Sequence, residues 1–199
     1  MNANSYKYRI AFDIWLNDVR LQPPLLESWP APQFDDVTVE SLIRAMDVQS
    51  QAAYSMVDVF GLTATTAYPP DIASAFADKE RSSRVHKVLR AAKDRGLEIS
   101  LGFGTYSWGY EAIIKNDRSV AAKSQDGAPS AFALCDANPE SFEYVKKILD
   151  YALSEFDFGG VHLESADQGF CRCPECADKY GLVGYNTRIN EKTADYIKS

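Results

Sequence analysis

The chain has 199 residues, 46% of them hydrophobic and 25% charged, enough for one soluble core. Its formal charge of -7 argues against a nucleic-acid or anionic-membrane surface, because neutralising phosphates takes a basic face. No run of about 18 apolar residues offers a spanning helix. Met1-Asn2-Ala3-Asn4-Ser5 lacks the basic and apolar regions of a signal peptide, so a cytoplasmic protein is the default expectation.

Apolar runs alternate with amphipathic helices along the chain. The first predicted strand is Tyr8–Trp15, followed by a proline-rich loop with Pro23, Pro24, Pro30 and Pro32. A helix is predicted from Val39 to about Ala53, with Thr38 as its cap and Leu42, Ile43 and Met46 at helical spacing. Ser55–Phe60 reads as the second strand. Lys79–Arg95 reads as the second helix, with Val85, Val88, Leu89 and Ala92 on one face and Gly96 as terminator. Glu98–Gly104 reads as the third strand.

A long connection runs from Thr105 to Ala137, and its central Asp126-Gly127 predicts a hairpin. Asn138-Pro139-Glu140 opens a third helix, with a capping amide, a proline in the first turn and an acid at the positive end of the dipole. Phe142, Val145, Ile148, Leu149, Ala152 and Phe156 form its stripe. Gly159–Glu164 is the fourth strand. A short helix from Pro174 to Tyr180 and a last one from about Thr187 complete the pattern.

Strand–helix alternation at this spacing predicts an α/β fold with parallel strands and crossover helices. An open doubly wound sheet and a partial (β/α)8 TIM barrel of about four βα units compete. No glycine-rich phosphate fingerprint follows the first strand, which disfavours dinucleotide binding. Long loops after strands one, three and four favour the barrel, whose carboxyl end gathers the chemistry. A complete barrel takes about 250 residues. The chain is therefore expected to be a single domain over 1–199, the N-terminal half of a barrel. Its outer strands would keep unpaired edges, open to the missing half-barrel or to a homodimer.

Glu164 is expected where the fourth strand meets its loop, with Asp167 three residues on. A desolvated carboxyl there suits proton donation to a glycosidic oxygen. It would equally serve as a salt-bridge partner. Asp13 in the first strand reads as a hydroxyl ligand or a backbone-satisfied buried acid. Tyr106, Trp108 and Tyr110 read as a sugar-stacking platform or as loop packing. His162 reads as a substrate ligand or a core hydrogen-bonding residue. Cys171, Cys173 and Cys176, spaced C-x-C-x2-C, read as zinc ligands needing a fourth from Cys135, His162 or an acid, or else as packed thiols.

Three stretches resemble glycoside hydrolase barrels: Asp126-Gly127-Ala128-Pro129, Leu134-Cys135-Asp136-Ala137-Asn138-Pro139-Glu140-Ser141, and Gly160-Val161-His162-Leu163-Glu164. They are similar to the family 20 hexosaminidases and to α-glucuronidase-like barrels. The resemblance implies an O-glycoside hydrolase with a carbohydrate partner, Glu164 as general acid and Asp167 as its assistant. Family 20 carries an adjacent Asp-Glu pair at this point, whereas Glu164 and Asp167 are separated by two residues. In such barrels the nucleophile usually sits on a later strand. No cofactor is required by that chemistry, and a structural zinc is the one metal expected. A non-catalytic carbohydrate-binding barrel and a zinc-stabilised structural domain are the alternatives.

Overall fold

The computed structural model describes residues 8–15, 34–62, 79–106, 110–165 and 171–199, with the backbone alone for 13–15, 111–112, 165 and 182–186. In chain order the elements are β1 (Ile10–Trp15), α1 (Asp36–Gln51), β2 (Met56–Phe60), α2 (Lys79–Lys93), β3 (Glu98–Thr105), α3 (Glu111–Asn116), β4 (Ala121–Lys123), β5 (Pro129–Leu134), α4 (Pro139–Glu155), β6 (Gly160–Ser165) and α5 (Pro174–Lys198).

β1, β2, β3 and β6 form one parallel sheet in that order, and β4 pairs with β5 in a separate antiparallel hairpin. The order separates the two predicted architectures. A doubly wound sheet reverses direction at a switch point. Here each new parallel strand joins the same side of its predecessor, as in a barrel.

Several local signals act as expected. Asn138 Oδ1 accepts from Glu140 N at 3.0 Å, and Pro139 starts α4. Gly127, at φ +84°, turns the β4–β5 hairpin at the predicted Asp-Gly. The first helix, however, starts earlier than Thr38. Asp35 is its cap, and its Oδ1 accepts from Thr38 N at 2.8 Å. An ionised carboxylate outcompetes the threonine hydroxyl for the free amides of the first turn. The two predicted C-terminal helices are joined in α5, which breaks at Gly181 with φ 64° and ψ 177°.

The sheet has two unlike faces, because side chains alternate along each strand. Val57, Val59, Ile99 and Leu101 point to one side, where they pack with Val39, Leu42 and Met46 of α1 and Val85 and Val88 of α2. A second core gathers Tyr106, Tyr110, Leu134, Val145, Leu149 and Ile189 around the hairpin, α4 and α5, with Val161 and Leu163 of β6 against it. The other face carries Asp58, Phe60, Ser100, Gly102, Gly104, His162 and Glu164, whose register places them in neighbouring rows. Ile10 and Phe12 of β1 are 48% and 60% exposed.

Candidate functional site

The face opposite α1 and α2 is shaped by glycine. Phe60, Gly102 and His162 lie in one row across β2, β3 and β6. A Cβ on Gly102 would stand 2.4 Å from the Phe60 ring, so only glycine lets that ring lean across β3. Phe60 thereby meets the His162 ring edge-on at 5.2 Å, while Phe12 tilts against it at 5.1 Å.

His162 is also held by charge. Its Nδ1 lies 2.7 Å from Asp58 Oδ2, and Asp58 is 1% exposed. Asp58 Oδ1 is buried with no partner among the described residues. The sequence reading missed Asp58. Its signal was a carboxylate in the middle of the apolar run Met56-Val57-Asp58-Val59-Phe60.

Glu164 lies two residues beyond His162 on the same face, paired in register with Gly104. It is half-buried, and its Oε2 is fully enclosed. The strand thus carries this carboxylate to its carboxyl end, beside a position with no side chain. Asp13 is in β1, but its side chain is outside the described residues, as are Trp108 and Asp167.

The two predicted tyrosine platforms are core residues instead. Tyr106 is 2% exposed and Tyr110 1%. Tyr106 adopts φ 63°, a left-handed conformation costly for a bulky residue, and this turns its ring inward off the end of β3. Its hydroxyl donates to Asp136 Oδ1 at 2.8 Å, and the Tyr110 hydroxyl donates to the Gly104 carbonyl at 2.8 Å.

Asp136 is a second feature that spacing did not reveal. Its carboxylate is fully enclosed and accepts from Lys179 Nζ at 2.8 Å, Lys192 Nζ at 2.7 Å and the Tyr180 hydroxyl. Burial alone would raise its pKa, but the bonds from Lys179, Lys192, Tyr180 and Tyr106 prevail and hold it at about 2. The same carboxylate thus ties both halves of α5 to the end of β5.

Cys135, the residue before Asp136, supplies the partner that the C-x-C-x2-C segment needed. The sulfurs of Cys135, Cys171, Cys173 and Cys176 all lie within 4.8 Å of one another, and all four residues are buried. Cys135 Sγ is 3.4 Å from Cys171 Sγ and 3.8 Å from those of Cys173 and Cys176. Tetrahedral zinc with bonds of about 2.3 Å separates its sulfurs by about 3.8 Å, so the set fits. Backbone amides reinforce thiolate character: Lys123 N donates to Cys171 Sγ at 3.3 Å, and Cys176 N donates to Cys173 Sγ at 3.5 Å. Cys173 also caps α5, at the positive end of its dipole. Without a cation the thiols do not ionise independently. Burial raises Cys173 to about 11, and hydrogen bonding to Cys135 and Cys171 raises Cys176 as well. His162, a candidate fourth ligand from sequence, is engaged by Asp58 instead.

No protein-family model matches the chain, and no curated protein matches it in sequence. Solved structures do share its fold. It is similar to a β-N-acetylhexosaminidase from Bacteroides fragilis NCTC 9343, with TM-score 0.56 and 16% identity over 80% of this chain and 37% of that one. An α-amylase from Geobacillus thermoleovorans gives TM-score 0.57 and 12% identity over 96% and 44%. A family 20 exo-β-N-acetylglucosaminidase from Vibrio harveyi gives 0.52 and 15% over 94% and 32%. The fold is a partial, glycoside hydrolase-like (β/α)8 barrel. The chain spans less than half the length of each of these structures. In barrel terms the helix-covered side of the sheet is the outside, and the face with Asp58, His162 and Glu164 is the inside.

Proposed function

We propose that the chain is a carbohydrate-active half-barrel in which the inner sheet face binds a saccharide and Glu164 is the general acid of glycosidic cleavage. One observation supports this most: Glu164 stands at the carboxyl end of β6, on the sheet face opposite α1 and α2, beside the bare position Gly104. Barrel chemistry gathers at that end of the strands. From that position a carboxylic acid can hand its proton to the leaving oxygen. In this reading Asp167 assists Glu164, Trp108 stacks on a sugar ring and Asp13 takes a hydroxyl. The four βα units form one domain, and the uncovered sheet edges receive a second half-barrel.

A neutral sugar suits the face best. Among its described residues the charged side chains are Asp58, Glu98 and Glu164, with no lysine or arginine to meet an anionic sugar.

The four-cysteine cluster is read as a structural zinc site. It joins the end of β5, Cys171 and the start of α5, so a bound ion would fix the chain from Cys171 on, four residues after Asp167 in sequence. The ion would cross-link these segments. The residues themselves supply thiolates and the amides that steady them.

Calorimetry with neutral oligosaccharides and turnover of aryl glycosides test the reading together. Binding by the wild-type chain, with catalysis in the presence of a complementary half-barrel that Glu164→Gln abolishes, is the expected result. Binding that survives Glu164→Gln but is lost in Trp108→Ala, with no turnover, favours the carbohydrate-binding alternative. Absence of binding contradicts both.

A further inference from the structure

Asp58 and His162 have a role that sequence spacing did not disclose. The two come from β2 and β6, and β3 passes between them. They nevertheless meet at 2.7 Å, on a diagonal across β3 that runs from the row of Ser100 to the row of Gly102, which has no side chain of its own. The pair is asymmetric in exposure: the Asp58 side chain is 2% exposed and that of His162 31%. The carboxylate is thus sealed beneath the imidazole, which still reaches the open face.

This arrangement fixes the chemistry of the ring. An ionised carboxylate only accepts, so Nδ1 carries the proton it donates to Asp58. In the neutral imidazole that leaves Nε2 as a lone-pair acceptor. Nε2 has no protein partner among the described residues. Phe12 and Phe60 hold the ring plane from two sides, so the acceptor has a set direction. Asp58 is also costly to keep. Its second oxygen is buried without a partner, a defect that an apolar residue in this strand would avoid.

We propose that Asp58 is a positioning residue that orients His162, and that His162 Nε2 accepts a hydroxyl proton from the saccharide bound next to Glu164. The inference rests on the carbohydrate reading above and adds to it the group that is recognised, a hydroxyl donor of a neutral sugar. Two groups of opposite role, an imidazole that accepts and a carboxyl that donates, then face neighbouring positions of the ligand from one strand, two residues apart.

The chain has only two histidines, His86 and His162, which makes the pair readable by nuclear magnetic resonance of 15N-histidine-labelled protein. The expected spectrum shows His162 protonated at Nδ1 with a free lone pair at Nε2. Chitotetraose or maltotetraose should shift the His162 Nε2 signal and leave His86 unmoved. Asp58→Asn should mix the His162 tautomers and weaken binding roughly tenfold, without lowering the melting temperature. His162→Gln, which keeps an acceptor without the ring, should weaken binding similarly and serves if Asp58→Asn fails to fold. A wild-type His162 protonated only at Nε2 would overturn the proposal. So would sugar-induced shifts at Gly102, Gly104 and Glu164 with Nε2 unmoved, which would leave the carbohydrate reading standing. No shift anywhere on this face would remove that reading and the His162 contact with it.

Discussion

The two faces of the parallel sheet follow opposite rules. On the outer face Val57, Val59, Ile99 and Leu101 are all at most 1% exposed and sit in an apolar cluster. On the inner face, one residue away along the same strands, stand a buried carboxylate with an unmet oxygen, a histidine and bare glycine positions. The outer face is what holds the fold together. The inner face carries groups that cost stability, and such costs cluster where ligands bind. A similar division separates the two ends of the chain. The α1–α2 layer is closed by apolar packing and by surface ion pairs such as Arg84–Asp36 and Arg95–Asp47, each worth little. The α5 layer depends on a buried carboxylate and a cysteine cluster.

The sharpest break of this comparison is expected at the cysteines. Cys135→Ser should abolish stoichiometric zinc binding, measured by elemental analysis, and lower the melting temperature by more than about 10 °C. A metal-free wild-type chain that melts at the same temperature with and without chelator would contradict it. Next comes Leu101→Ala on the outer face, expected to cost about 3 kcal/mol in denaturant titrations while leaving oligosaccharide affinity unchanged.

Asp136→Asn should cost about 2 kcal/mol near neutral pH, below the range for fully buried pairs because Lys179 and Lys192 keep solvent contact. The pH dependence has a definite sign. The folded pKa of Asp136 is depressed to about 2 from the ordinary aspartate value of 3.8. Its contribution is therefore complete above about pH 4 and is lost as pH falls through about 2. The stability gap between wild type and Asp136→Asn should close over that interval.

What the sequence disclosed, and what it hid, follows the same divide. The strands were legible because each is a continuous apolar run, and α4 because Asn138-Pro139-Glu140 states its start. The Cys171–Cys176 segment announced itself by spacing, and Cys135 was among the candidate partners. The Asp136 cluster was hidden, because its lysines lie 43 and 56 residues away and only the docking of α5 brings them together. Tyr106 was left open between a sugar platform and loop packing, because sequence does not show which way a loop residue turns, and its positive φ sends the ring inward. Asp58 was legible as an oddity in an apolar strand. Its partner 104 residues on was not.

Smaller effects sharpen the inner face. Gly102→Ala should cost about 1–2 kcal/mol, because the Phe60 ring must move away from the new methyl. The same change should separate Phe60 from His162 and weaken saccharide binding, a coupling that no outer-face substitution shows. Glu164→Gln should alter stability by less than about 1 kcal/mol while removing proton donation.

A crystal structure of the chain soaked with chitotetraose or maltotetraose tests the central claim most directly. Sugar rings on the inner face, within hydrogen-bonding distance of Glu164, are the predicted result. A saturating soak that leaves this face empty, or seats the sugar against the helices on the outer side, would contradict it.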